Sequence, residues 1–174
     1  WMAYAEGFHV DLNVAILAAL SSGQASDSEE VLAEYAKRHF GGKDAGPWAR
    51  WLHAFADPAS LDTVQARKEF EALSSGARRG WRLSQIEGTL RLFECHQRVM
   101  KEREWNHARL GAAEAFWAAK EHLYRDVWGL GVPRHIFQME GQVPGWHAEY
   151  LSKKGEIPTG PATEGRTIGD LEEA

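Results

Sequence analysis

The sequence predicts an all-α protein. It reads as a bundle of five or six helices, followed by an irregular C-terminal tail. The short apolar segment at its front can serve as the last strand of a (β/α)8 barrel. Three observations carry this expectation. Apolar residues recur at helical spacing in at least five segments. Those segments open on capping residues and close on glycines. No alternating strand pattern of convincing length occurs anywhere in the 174 residues. The chain divides into a possible barrel-end segment at 1–10, a helical bundle at 11–128, an irregular segment with a short helix at 129–154, and an extended tail at 155–174.

The first helix is expected from about Asp11 to Leu20, with Asp11 as its cap, Gly23 just past its end, and Val14, Leu17 and Ala18 on one face. The second opens on Ser26-Asp27-Ser28-Glu29-Glu30, a capping box with acidic residues at the positive helix end. Val31, Leu32, Tyr35, Ala36 and Phe40 follow at helical spacing, and Gly41-Gly42 stop it. Asp44 opens a third helix that tolerates Pro47 in its first turn. Its Trp48, Trp51, Leu52 and Phe55 form an aromatic stripe at i, i+3, i+4, i+7, and Asp57-Pro58 end it. A fourth begins after Ser60 and carries Leu61, Val64, Phe70 and Leu73 up to Gly76. Ser84-x-x-Glu87 caps a long fifth helix whose apolar line is Leu83, Ile86, Leu90, Phe93 and Met100. Gly88 inside it costs about 1 kcal/mol against Ala. A sixth runs from about Ala108 to Trp128 with Leu110, Ala113, Trp117, Tyr124 and Trp128 inward, and Gly129 ends it. Trp146–Leu151 fits one or two further helical turns. From Gly155 onward Gly, Pro, Thr and Glu dominate, which predicts a loosely held extension.

Composition narrows the function classes. A net charge of −5 and a pI near 5.9 argue against a nucleic-acid surface, which needs a basic face. No apolar run is long enough to cross a membrane. The single cysteine, Cys95, excludes an internal disulfide and reads as a small core residue. The chain shows no signal-peptide pattern and its first residue is Trp rather than Met, so it is expected to be a processed product or a fragment. Eight tryptophans are many for this length. Most are expected in the core, although exposed Trp and Tyr also make the flat faces on which sugar rings stack.

One stretch has the best claim to chemistry. In Trp1-Met-Ala-Tyr-Ala-Glu-Gly-Phe-His9 an apolar run reaches Glu6, then Gly7, and then turns into a helix. Barrel enzymes present catalytic acids at such strand ends. The plain alternative is a solvated glutamate. Two Glu-x-x-His spacings, Glu6…His9 and Glu104…His107, evoke a di-iron bundle site, with Glu34, Glu87, Glu94 or Glu121 completing it. However, Gly7 interrupts the first, and the second falls where the fifth helix finishes. No zinc-ligand spacing, phosphate loop or nucleophile elbow occurs.

The front of the chain resembles a known family. Ala5-Glu6-Gly7 leads into a helix, then an acidic helix start at Asp27–Glu30. Tyr35-Ala36-Lys37-Arg38-His39-Phe40-Gly41 follows, and then Asp44-Ala45-Gly46 leading to Trp48-Ala49-Arg50-Trp51-Leu52. This succession is similar to the junction between catalytic barrel and C-terminal helical domain in α-N-acetylglucosaminidase-type and related barrel glycoside hydrolases, and it covers the first third of the chain. It implies a retaining glycoside hydrolase in which Glu6 is the catalytic nucleophile. Tyr4 and Trp1 are then candidate substrate-binding residues. The implied partners are a carbohydrate substrate and catalytic barrel residues upstream of this chain. No cofactor, no metal, no nucleic acid and no membrane is expected, and secretion or a periplasmic location would follow. The competing expectations are a non-catalytic helical interaction module and the metal-binding bundle.

Overall fold

The computed structural model describes residues 10–41, 45–54, 60–127, 129 and 144–156. All regular structure among them is helical: α1 (Val10–Ser21), α2 (Ser28–His39), α3 (Ala45–Ala54), α4 (Thr63–Ser74), α5 (Trp81–Lys101), α6 (His107–His122) and α7 (His147–Lys154). A π-helical turn, Leu123–Val127, prolongs α6. The expected barrel-end strand lies outside the described residues, as do Phe55 and Trp128.

Helix starts follow the side chains that satisfy their open amides. Asp27 accepts from the Glu30 backbone N–H at 2.9 Å, while Glu30 accepts from the Ser26 N–H at 3.0 Å. The predicted cap thus forms, with Glu30 reaching back one residue past the N-cap to Ser26. Asp62 caps α4 by accepting from both Val64 and Gln65 N–H, so the helix begins two residues later than Ser60 suggests. Asn106 caps α6 by accepting from the Arg109 N–H. Three expectations are corrected. Ser84 is interior to α5, which starts at Trp81 behind Gly80 without a side-chain cap. Asp11 lies within α1 rather than before it. Val14 and Leu17 face solvent, 45% and 50% exposed, and Leu12 is the α1 residue that reaches the core.

Two apolar clusters form the interior. The first joins Leu32, Tyr35, Ala36 and Phe40 of α2 and its end with Trp48, Trp51 and Leu52 of α3, Phe70 of α4, and Leu83, Ile86 and Leu90 of α5. Trp48 stacks edgewise on Trp51 and on Phe70, with ring centroids 5.8 and 6.1 Å apart. The Trp51 indole donates to the Ala66 carbonyl at 2.9 Å, so its one polar atom is satisfied inside. The second cluster joins Leu92, Cys95 and Val99 of α5 with Leu110, Ala113, Phe116 and Trp117 of α6, and with Trp146 and Tyr150 at α7. Helix α5 therefore serves both clusters, the first with its N-terminal half and the second with its C-terminal half. Val64 and Met100, expected inward, are 67% and 59% exposed.

Polar ties fix α4 onto α5. Arg67 donates to both carboxylate oxygens of Glu94, at 2.8 and 2.9 Å, a bidentate fork that Lys could not reproduce. The Gln97 amide donates to the Leu61 carbonyl and accepts from the Thr63 hydroxyl. Gly88 lies on the buried face of α5, where a Cβ would stand 2.9 Å from Leu123 Cδ1. Its helix-propensity cost is thus offset by a close approach of the π turn.

Candidate functional site

Glu6, Tyr4 and Trp1, the residues that carry the expected glycosidase chemistry, lie outside the described residues. So does His9. The helix that follows them is described. It starts at Val10, four residues beyond Glu6, so the two Cα atoms are at most about 14 Å apart even in a fully extended chain. Between α1 and α2 runs a groove of about 690 Å³, within the size range of small-molecule sites. Its floor is made by small residues of α1, Ala15, Ala18 and Ala19, with Val31 and Tyr35 opposite. Lys37, Arg38 and Arg82 also line the groove. Of the acids on its rim, Glu30 is held by the α2 cap and Glu34 pairs with Lys37 at 3.7 Å. The groove offers apolar and cationic lining together. Its two carboxylates are both engaged in these local contacts.

The metal reading meets separated ligands. Among the described residues no group of three His, Cys, Asp or Glu side chains is placed to hold a metal ion. Glu87 and Glu94 both face Arg67, Glu121 pairs with Arg125, and Glu34 lies on α2. Glu104 is exposed in the turn before α6, and His107 is the exposed first residue of that helix.

A second constellation has no counterpart among the sequence expectations. Lys120 of α6 is only 3% exposed, and its ammonium lies over the Trp117 ring, 5.3 Å from the centroid. Burial pulls the Lys120 amine down from its ordinary value to about 8. The His147 ring meets the same indole at 4.7 Å and stacks on Tyr150. Burial, and then the Lys120 charge, hold His147 below the ordinary imidazole value. Its Nδ1 is buried with no hydrogen-bond partner, as are the indole nitrogens of Trp117 and Trp146. On α5, His96 packs on Phe116 and Trp146, and burial lowers it too. Perturbed bases clustered in this way mark functional candidates, but the enclosure of Lys120 keeps its amine from acting on a bulky substrate. The signal in the sequence was the spacing Ala113, Phe116, Trp117, Lys120, which puts the lysine on the apolar face of its own helix.

Of the remaining helical histidines, His39 packs against the Tyr35 ring at a tilt and His122 pairs with Asp126. Among the tryptophans, Trp48, Trp51, Trp117 and Trp146 are buried, whereas Trp81 is exposed beneath the Arg82 guanidinium. No helix among the described residues is long and apolar enough to cross a membrane. No protein-family model matches the chain, and neither a curated protein nor a solved structure matches it.

Proposed function

We propose that this chain is the C-terminal helical region of a retaining glycoside hydrolase acting on a glycan, and that it contributes the catalytic nucleophile, Glu6, at its N-terminal edge. The observation that carries the reading is the succession from Ala5-Glu6-Gly7 into α1 and on to the capped α2, in the order that such hydrolases follow. Two features support it. The short link from Glu6 to Val10 ties any active site at Glu6 closely to α1. That helix also keeps Val14, Leu17 and Leu20 exposed, an apolar stripe suited to lie against a barrel rather than in water.

The chemistry assigned to Glu6 is nucleophilic. A retaining glycosidase needs a carboxylate to attack the anomeric carbon and a protonated partner about 5–5.5 Å away to protonate the leaving oxygen. The partner acid belongs to the upstream barrel in this reading, and Tyr4 and Trp1 would flank the sugar. Glu6→Gln keeps the shape and removes the charge. In the intact protein, assayed on a panel of aryl glycosides, this change abolishes turnover and leaves melting temperature and glycan binding near wild type. Unchanged turnover in the Gln variant would falsify the assignment.

A further inference from the structure

We propose that α7 is an acid-released latch, detached from α6 when His147 and His96 become charged inside the aromatic cluster that seats it. The proposal is independent of the glycosidase reading.

The geometry is that of a cluster already saturated with cations. Helix α7 packs on α6, and its anchors are Trp146, His147 and Tyr150, all buried. Helices α6 and α7 bring positive charges to rings of that cluster. Lys120 of α6 lies over Trp117, Arg109 lies over Trp105 at 4.3 Å, and Lys154 of α7 lies over Tyr150 at 5.4 Å. The acids of the same elements have their own partners. Glu149 accepts from the Trp105 indole at 2.9 Å, Glu114 pairs with Lys154 at 3.4 Å, and Glu121 with Arg125 at 3.2 Å. A charged His147 would sit beside the indole that already holds Lys120. It would also carry an N–H on Nδ1, which is buried without an acceptor. A charged buried group without such compensation is expensive.

The direction follows from linkage. Both histidines are held below their ordinary value in the folded cluster, and the burial that Trp146 and α7 impose on them is relieved when α7 lifts away. The released state therefore binds more protons in the acid range. The docked state keeps its full advantage above the ordinary imidazole value of about 6.5. It loses that advantage as pH falls through the two lowered values. Lys120 acts in the same sense at higher pH, between its ordinary value and about 8, so acidification nowhere strengthens this seat through these three groups.

Hydrogen exchange of the full chain between pH 8 and pH 5, corrected for the intrinsic rate at each pH, tests the latch. The α7 amides are expected to lose protection on acidification, with the opening constant rising by up to about tenfold per pH unit for each histidine that charges, while α2 and α3 stay protected. His147→Phe combined with His96→Phe keeps the rings and removes both protons, and should leave α7 protected at pH 5. Should that variant fail to dock α7 at pH 8, the wild-type His147 titration followed by NMR decides the matter. A midpoint below that of a free histidine supports the latch, and a midpoint at or above it overturns it. Protection of α7 that does not change with pH, or the same loss in the double Phe variant, also overturns it.

Discussion

At the scale of single residues, polar atoms decide which buried side chains are irreplaceable. Trp51 fills the first cluster and also satisfies its indole through the Ala66 carbonyl. Trp51→Ala should cost about 3–5 kcal/mol, as for large aromatic core residues. Trp51→Phe should cost less, because it keeps most of the apolar area, but it leaves the carbonyl of a helix residue without that second partner. Thermal or denaturant unfolding of the two variants checks the order. If Trp51→Ala proved near neutral, the aromatic stripe would have to be a surface rather than a core. The stripe was legible in the sequence because Trp48, Trp51 and Leu52 recur at helical spacing. The burial of Lys120 was equally implicit in its register with Ala113 and Trp117. It is easily overlooked because lysine at such a position ordinarily snorkels to water.

At the scale of elements, the sequence pattern located helices well and their faces less well. Helix α2 followed its pattern throughout, since cap, apolar face and Gly41 stop all agree, with Gly41 at φ +74° where glycine is favoured. Helix α1 is apolar on nearly every side, so periodicity could not say which stripe turns inward, and the stripe chosen proved to be the bare one. Helix α5 misled at its start because Ser84-x-x-Glu87 satisfies the capping pattern while lying one turn inside. Its Phe93–Met100 line also drifts off the buried face. Two glycines separate propensity from packing. Gly111 of α6 is exposed with open space where a Cβ would go. Gly111→Ala should therefore stabilise by about 0.5–1 kcal/mol. Gly88→Ala should gain nothing or lose stability, because its Cβ would press on the fully buried Leu123. The denaturant midpoint should rise for Gly111→Ala and stay level or fall for Gly88→Ala, and a matching rise in both would mean that Leu123 yields freely.

At the scale of the whole molecule, α5 makes one body of two clusters. Leu83, Ile86 and Leu90 belong to the first, and Leu92, Cys95 and Val99 to the second. Neither cluster can be dismantled without exposing part of the helix that supports the other. That arrangement was hidden from the sequence because only the fifth helix's first apolar line was regular enough to be read, and the second follows from the fold of α6 across it. The proposed role of Glu6, by contrast, rests on the Glu6-Gly7 turn and on a family resemblance, since no spacing of side chains within this chain encodes a partner acid. The shared helix also carries the chain's one thiol. Cys95 is buried, and burial raises its pKa, so an alkylating reagent can reach it only when the second cluster opens. Its modification rate is therefore a built-in clock, wound by α5 and readable by mass spectrometry without any added label. If the two clusters open together, a lesion in the first, such as Trp51→Ala, must make that clock run faster although the thiol's own surroundings are untouched. An unchanged rate would mean that the halves of α5 come apart separately, and that the protein keeps two times rather than one.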